Sequence, residues 1–296
     1  MVVTGCSSAQ PVTPAQPPVV SGTAAAATAD TVLSEAAHAL AIPSSRYLTG
    51  RRLLFEAELE FTRRCMLGQG LTYPAARPDQ TGGDSEWAPN LQVRRSRGYG
   101  LDPASQPSPD SWLRALSAAE RAKHVRALKG DPSRRATYEM RDGTRFNFAA
   151  TGCIAQSRIE LYGNVVDAAR VSYVPQGAHQ AVLGRISADR RVRDAVARWS
   201  ACMRDRGFAV ASAQEARNLA AQAYDAARRA GRDLSSARTT EIRIATADAD
   251  CAMTADLSRV AEQVGRRYAN ELPADQRREL NIVAVLWNSA LRRATG

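Results

Sequence analysis

The feature that most constrains this 296-residue chain is a repeated cysteine motif. Residues 65–71 read Cys-Met-Leu-Gly-Gln-Gly-Leu, and residues 202–208 read Cys-Met-Arg-Asp-Arg-Gly-Phe. Apolar residues precede each cysteine at spacings that lie on one face of a helix. Gly70 and Gly207 then stand where a helix would end in a left-handed glycine, with the next apolar residue folded back onto the last turn. The motif therefore predicts two related helices, each ending just after its Cys-Met pair.

The repeat also divides four of the five cysteines into pairs. Each Cys-Met helix is followed by one further cysteine, Cys153 or Cys251, and each of these precedes an apolar helical stripe. Four cysteines allow three pairings, and the repeat favours the one in which each unit closes on itself. That pairing is Cys65–Cys153 and Cys202–Cys251, each worth roughly 4–4.6 kcal/mol as an upper estimate in the chain-entropy treatment. The alternative is four reduced cysteines packed as small buried hydrophobes.

Helical periodicity elsewhere predicts a mainly α, disulfide-braced domain built from two related helical units. Aromatic residues form only 6% of the chain, which disfavours a sandwich or barrel of aromatic and β-branched strands. The one strand prediction is a β-hairpin near residues 136–148, turning at Asp142-Gly143. Residues 72–111 are rich in Pro, Gly, Asp and Ser and lack sustained periodicity, which predicts a loop-rich insert. Residues 235–270 are predicted as one long helix, and residues 175–179 as a loop.

The N-terminal residues predict a lipid-anchored tether. Residues 3–6 read Val-Thr-Gly-Cys, which resembles a bacterial lipobox, where a small residue precedes a cysteine that is acylated and becomes the mature N-terminus. That resemblance implies that Cys6 is the lipidated residue. Residues 1–5 are then the remnant of a signal peptide, whose apolar region needs about 7–15 residues. Residues 6–30 are rich in Pro, Ala and Thr and predict a disordered tether; the alternative is a free cysteine in a cytosolic tail.

The basic charge is a weaker indicator of partners. The chain carries 40 Lys and Arg against 30 Asp and Glu, a net charge of +10. Lys123 and Lys129 are its only lysines, so the excess is an arginine bias of the kind that GC-rich codon usage produces. Residues 1–45 contain no cationic side chain, so residues 46–296 hold the whole excess. A solvated basic surface is the plain interpretation, a surface that meets polyanions is the alternative, and nucleic-acid binding is the least favoured.

The predicted insert carries the most suggestive set of binding residues. Aromatic platforms interleaved with arginines can hold a polymer by stacking and by charge. The residues concerned are Trp87, Arg94, Arg95, Arg97, Tyr99 and Trp112. At a cell surface the partner would be an anionic wall polymer, a glycan, phospholipid headgroups or another envelope protein. The alternative is an ordinary surface loop with two partly buried tryptophans.

Catalytic motifs are absent from the sequence. There is no HExxH, no G-x-S-x-G and no CxxC, so neither a metal, a cofactor nor a nucleophilic triad is expected. Paired acids such as Asp248 and Asp250 could serve acid–base chemistry, but acids at such positions are usually solvated on a helix surface. The sequence leaves open whether the protein is an enzyme and favours a non-catalytic role.

The second motif, with the segment Ile244-Ala-Thr-Ala-Asp-Ala-Asp-Cys251, resembles a group of uncharacterised actinobacterial secreted proteins and lipoproteins. Those proteins also carry a Cys-Met-x-x-x-Gly-aromatic helix end and a later Ile-Ala-x-x-Asp-x-x-Cys helix. The resemblance covers about residues 190–265, with a fainter copy at 50–170, and implies an exported, disulfide-bonded protein. It supplies no catalytic residues.

These observations predict a lipoprotein on the outer face of the cytoplasmic membrane with an interaction or ligand-binding role. An envelope-associated hydrolase with an unrecognised site is the alternative, and a cytosolic nucleic-acid-binding protein is a weaker one. The predicted domain order is a signal remnant (1–5), a tether (6–30), a first helical unit (31–170) with its insert (72–111), and a second helical unit (171–296).

Overall fold

The computed structural model describes residues 32–74, 87–102 and 111–296. Cys6, the signal remnant and the tether lie outside these ranges. Within them the chain is mainly helical with one β-hairpin, as predicted. In chain order the elements are α1 (Glu35–Ala41), α2 (Ser45–Gly68), α3 (Leu91–Arg97), α4 (Ser111–Arg114), α5 (Ala118–Lys129), β1 (Arg135–Glu139), β2 (Arg145–Ala149), α6 (Gly152–Tyr162), α7 (Val165–Ala188), α8 (Arg190–Asp205), α9 (Ala213–Arg229), α10 (Ser235–Thr254), α11 (Leu257–Asn270) and α12 (Ala274–Thr295).

Both Cys-Met helices end in the predicted way. The motif glycine has a φ of +68° after α2 and +86° after α8. The apolar residue that follows donates its N–H back to the methionine carbonyl, from Leu71 to Met66 at 3.0 Å and from Phe208 to Met203 at 2.9 Å. These bonds satisfy carbonyls that a helix end would otherwise leave open, and both methionines are fully buried.

The predicted cysteine pairing is confirmed. Cys65–Cys153 joins α2 to α6, and Cys202–Cys251 joins α8 to α10, with Cα–Cα distances of 5.5 and 5.6 Å. Each bridge closes one Cys-Met helix onto a later helix of the same predicted unit. The bridges span 88 and 49 residues of chain, so each removes considerable freedom from the unfolded state.

One hydrophobic cluster runs through both predicted units. It includes Leu40 from α1, Val182 from α7, Trp199 from α8 and Trp287 from α12, all at most 6% exposed. Helix α7 is continuous across residues 170 and 171, where the sequence places the unit boundary. The two halves of the chain therefore share a core.

The predicted hairpin is present and packs on α7. Strands β1 and β2 are antiparallel, with Tyr138 opposite Phe146, and Gly143 in the turn has a φ of +82°. The Phe146 ring stacks on Tyr173 of α7, with ring centroids 4.1 Å apart. This aromatic contact buries a face that an isolated two-stranded hairpin would leave exposed.

Two local predictions are wrong. Residues 175–179 are helical, because Val174, Pro175 and Ala178 are buried on the core side of α7 and packing outweighs the low helix propensity of proline. Residues 235–270 form two helices, separated at Asp256, which has a φ of 57°. Within the predicted loop-rich insert, the described residues include one short helix, α3.

Candidate ligand cavity and the clasp that borders it

Residues 87–102, which we call the clasp, cross from the first predicted unit to pack on α10. Asn90 begins α3 as its N-cap, its side-chain oxygen accepting a hydrogen bond from Val93 N at 3.1 Å. Gly98 ends the helix with a φ of +65°. Because α3 has only seven residues, too few for a stable isolated helix, its contacts with α10 are what hold it in place.

The first of these contacts is a buried ion pair. Arg94 of the clasp donates from Nη1 to Asp248 Oδ2 of α10 at 3.0 Å, and the two residues are 4% and 3% exposed. The same carboxylate oxygen accepts from Tyr99 Oη at 3.0 Å, while Oδ1 accepts from Trp199 Nε1 at 3.0 Å. A buried carboxylate is tolerated only when its lone pairs are filled in this way.

The second contact is made by a fully buried carboxylate two turns earlier on α10. Glu241 accepts from Leu101 N at 2.8 Å and from Tyr224 Oη at 2.5 Å. Burial first, and then this hydrogen bond, raise the pKa of Tyr224 above its ordinary range. A Cβ on Gly98 would lie 2.5 Å from Glu241 Cγ, so the clasp reaches α10 this closely because residue 98 is glycine.

The near end of the clasp borders a cavity of about 360 Å³. The cavity lies between residues 87–90, the start of α2, the end of α7 and α11. Its apolar lining includes Ile42, Trp87 and Ile186. Gly265 packs directly against this wall, since a Cβ there would lie 2.7 Å from Ile42 Cγ2 and 3.1 Å from Ile186 Cδ1. The volume falls within the range of about 300–1,000 Å³ that small-molecule sites occupy.

The polar lining of this cavity differs in charge from the protein as a whole. Ser45, Thr49 and Ser258 contribute hydroxyls, and Glu262 contributes a carboxylate. Among the described residues these four side chains make no hydrogen bond or ion pair to the protein. The lining contains no Lys or Arg. In a chain of net charge +10, the cavity therefore favours an uncharged or cationic ligand over a polyanion.

The structure separates the six residues that the sequence groups as a binding set. Trp87 lines the cavity, whereas Arg94 is buried and donates to Asp248. Tyr99 is half-buried over the Arg94 guanidinium, with its ring centroid 4.4 Å from Cζ.

The other three members of that set occupy different surroundings. Arg95 is exposed and lies 3.6 Å from Asp250 Oδ1, and Arg97 is half-buried near the end of α3. Trp112 makes its ring contacts with Tyr73 and His124, at 5.5 and 5.6 Å, and belongs to a separate aromatic cluster. Polymer binding by this set stays a prediction.

Sequence reasoning missed the α10 side of this arrangement. Asp248 was expected to be a solvated acid, but it is buried because the clasp covers it. The segment Ile244–Cys251 already contained the signal, since its Asp and Cys are three residues apart and therefore lie on one helix face. Asp248 anchors the clasp, and Cys251 forms the bridge to α8.

The described residues present neither a metal-ion cluster nor a membrane-spanning helix. Within the described ranges, no three His, Cys, Asp or Glu side chains are placed to hold a metal ion. None of the described helices combines the length and apolarity needed to cross a bilayer. The chain matches no protein-family model, no curated protein and no solved structure.

Proposed function

We propose that this protein is a lipid-anchored, extracytoplasmic binding protein that holds a neutral glycan fragment of the cell envelope in the Trp87 cavity. The observation that carries the proposal is the construction of the cavity. An indole and three unengaged hydroxyls share one concave site, next to a segment that two buried carboxylates hold in place. Such preorganisation lowers the ordering cost that a ligand pays on binding.

The chemistry of the lining supports a sugar. An indole presents a flat apolar face, on which the C–H face of a pyranose can lie, while Ser45, Thr49 and Ser258 can exchange hydrogen bonds with ring hydroxyls. Glu262 can accept from further hydroxyl or amide donors. Because this carboxylate has no second titratable group beside it in the lining, the cavity suits binding better than acid–base catalysis.

The disulfides and the N-terminal sequence support this proposed location. Two disulfides are compatible with an oxidising compartment outside the cytoplasm, where such bonds persist. Acylation of Cys6 would anchor the chain to the outer face of the cytoplasmic membrane. Mass spectrometry of the protein from its native host tests this part directly, and an unmodified Cys6 in the mature chain would contradict it.

The ligand is tested by isothermal titration calorimetry of the oxidised full chain with N,N′-diacetylchitobiose. We expect a saturable heat of binding that Trp87→Ala abolishes. Trp112→Ala is the matched control, because it removes an indole that is also half-buried and lies outside the cavity lining. Saturable binding of equal affinity in the Trp87→Ala variant would refute the assignment of the cavity.

A further inference from the structure

A second cavity, of about 760 Å³, is lined mainly by cationic side chains, in contrast to the Trp87 cavity. It is formed by the C-terminal part of α5, the turn before β1, the start of α6 and the residues that follow α2. Lys123, Arg126 and Arg134 line it.

Among the described residues, none of these three cations is closely paired with an acidic side chain, although Arg134 is near enough to help lower the pKa of Asp131. Within the described part of the chain, Lys123, Arg126 and Arg134 form neither an ion pair nor a side-chain hydrogen bond. The one carboxylate in the lining, Asp131, accepts from both N and Oγ of Ser133, at 2.8 and 2.7 Å. With three cations and one carboxylate, the lining carries a net formal charge of +2.

Two helix ends of opposite sign meet at this cavity, and the N-terminal end of α6 favours an anion. Thr151 precedes α6 but makes no side-chain cap to that helix, because its Oγ1 accepts from Asp131 N at 2.9 Å. The first N–H groups of α6 therefore remain uncapped at the rim. The negative end of α5 also reaches the cavity at Gly130, and Arg126 lies in its last turn, where it offsets that end.

The wall of the cavity is rigid. Gln69 donates from Nε2 to Cys153 Sγ at 3.2 Å, which ties the end of α2 to the Cys65–Cys153 bridge. A Cβ on Gly152 would lie 2.3 Å from Gly130 N, so the ends of α5 and α6 are in direct backbone contact. Lys123 and Arg126 are consequently presented from a helix whose end is held against α6.

From this arrangement we infer that the cavity lined by Lys123, Arg126 and Arg134 is a binding site for phosphate groups. Two guanidinium forks and one ammonium can contact several oxygens of a tetrahedral anion together, and a guanidinium holds two such oxygens at once. The phosphate could come from a free phosphate compound or from a phosphodiester chain, and both share this chemistry. The site is independent of the Trp87 cavity.

Isothermal titration of the oxidised full chain with sodium pyrophosphate, and separately with a short glycerol phosphate oligomer, tests the inference. The cavity variant is Lys123→Gln with Arg126→Gln and Arg134→Gln. The matched control is Arg193→Gln with Arg204→Gln and Arg229→Gln, which removes the same charge from exposed arginines that also lack ion pairs among the described residues. Because all six side chains are exposed and unpaired, both variants should keep the wild-type fold.

We expect saturable binding by the wild-type chain, weakened about tenfold or more in the cavity variant and unchanged in the control. Binding of pyrophosphate identifies free phosphate as sufficient, whereas binding of the oligomer alone identifies a phosphodiester chain, and either result upholds the site. The inference is overturned if neither probe binds saturably, or if the control variant loses as much affinity as the cavity variant.

Discussion

Replacing Asp248 by alanine should cost far more stability than any substitution of an exposed acid. The change removes the acceptor of Arg94, Tyr99 and Trp199 and leaves the Arg94 guanidinium buried without its counter-charge. Breaking one side of a buried pair typically costs about 3–5 kcal/mol. Since a domain is stable by only about 5–15 kcal/mol in total, urea denaturation of the oxidised protein at neutral pH would show a large shift in midpoint.

Asp250→Ala is the matched control on the same helix. Asp250 pairs with Arg206 at 3.0 Å and with Arg95 at 3.6 Å, and both of these arginines are exposed, so its loss should cost less than about 1 kcal/mol. Replacing both members of the buried pair, Arg94→Met with Asp248→Leu, should be less destabilising than Asp248→Ala alone, because no charge is then left buried. If Asp248→Ala and Asp250→Ala differ by less than about 1 kcal/mol, the clasp is not held as described.

Three further predictions concern other parts of the fold. Gly98→Ala should destabilise the protein by about 1–3 kcal/mol. Gly143 also has a positive φ, of +82°, but has open space around it, so Gly143→Ala should cost only about 1 kcal/mol. Equal losses in denaturation midpoint would contradict the steric argument. Burial lowers the pKa of His179 from 6.5 to about 4, so the neutral imidazole is favoured on folding. The stability that the neutral imidazole contributes is complete above about pH 6.5. It is lost as the pH falls toward 4, by up to about 3 kcal/mol. His179→Gln should flatten that part of a plot of unfolding free energy against pH, and an unchanged slope would refute this. Replacing Cys65 and Cys153 together by serine should lower the unfolding free energy by about 4 kcal/mol or less, and a denaturation curve that is unchanged in midpoint would show that the bridge does not constrain the unfolded chain.

The features that the sequence predicts correctly are those whose cause is local or repeated. The left-handed glycines at 70 and 207 follow from the Cys-Met motif, and the hairpin follows from Asp142-Gly143 between two strand-forming segments. The cysteine pairing required a further step, the comparison of the two halves of the chain. Each half supplies one helix end and one later cysteine, and the structure joins them in that way.

The features that the sequence misses depend on distant contacts. Helix α3 has no amphipathic pattern long enough to reveal it, and what stabilises it is Asp248, 154 residues away from Arg94. An arginine in a Pro- and Gly-rich stretch looks solvent-exposed until its partner is known, so the interior position of Arg94 could not be inferred from its neighbours. The Trp87 cavity was missed for the same reason, because its walls come from four separate parts of the chain.

The separation between the clasp and its anchors also sets an order of events during synthesis. Residues 87–102 leave the ribosome well before Glu241 and Asp248, so the Arg94 guanidinium has no acceptor on α10 while the intervening 140 or more residues are made. The clasp can close only after α10 has appeared. A nascent chain halted before residue 241 should therefore be cleaved by protease within the clasp, and a finished chain should resist cleavage there.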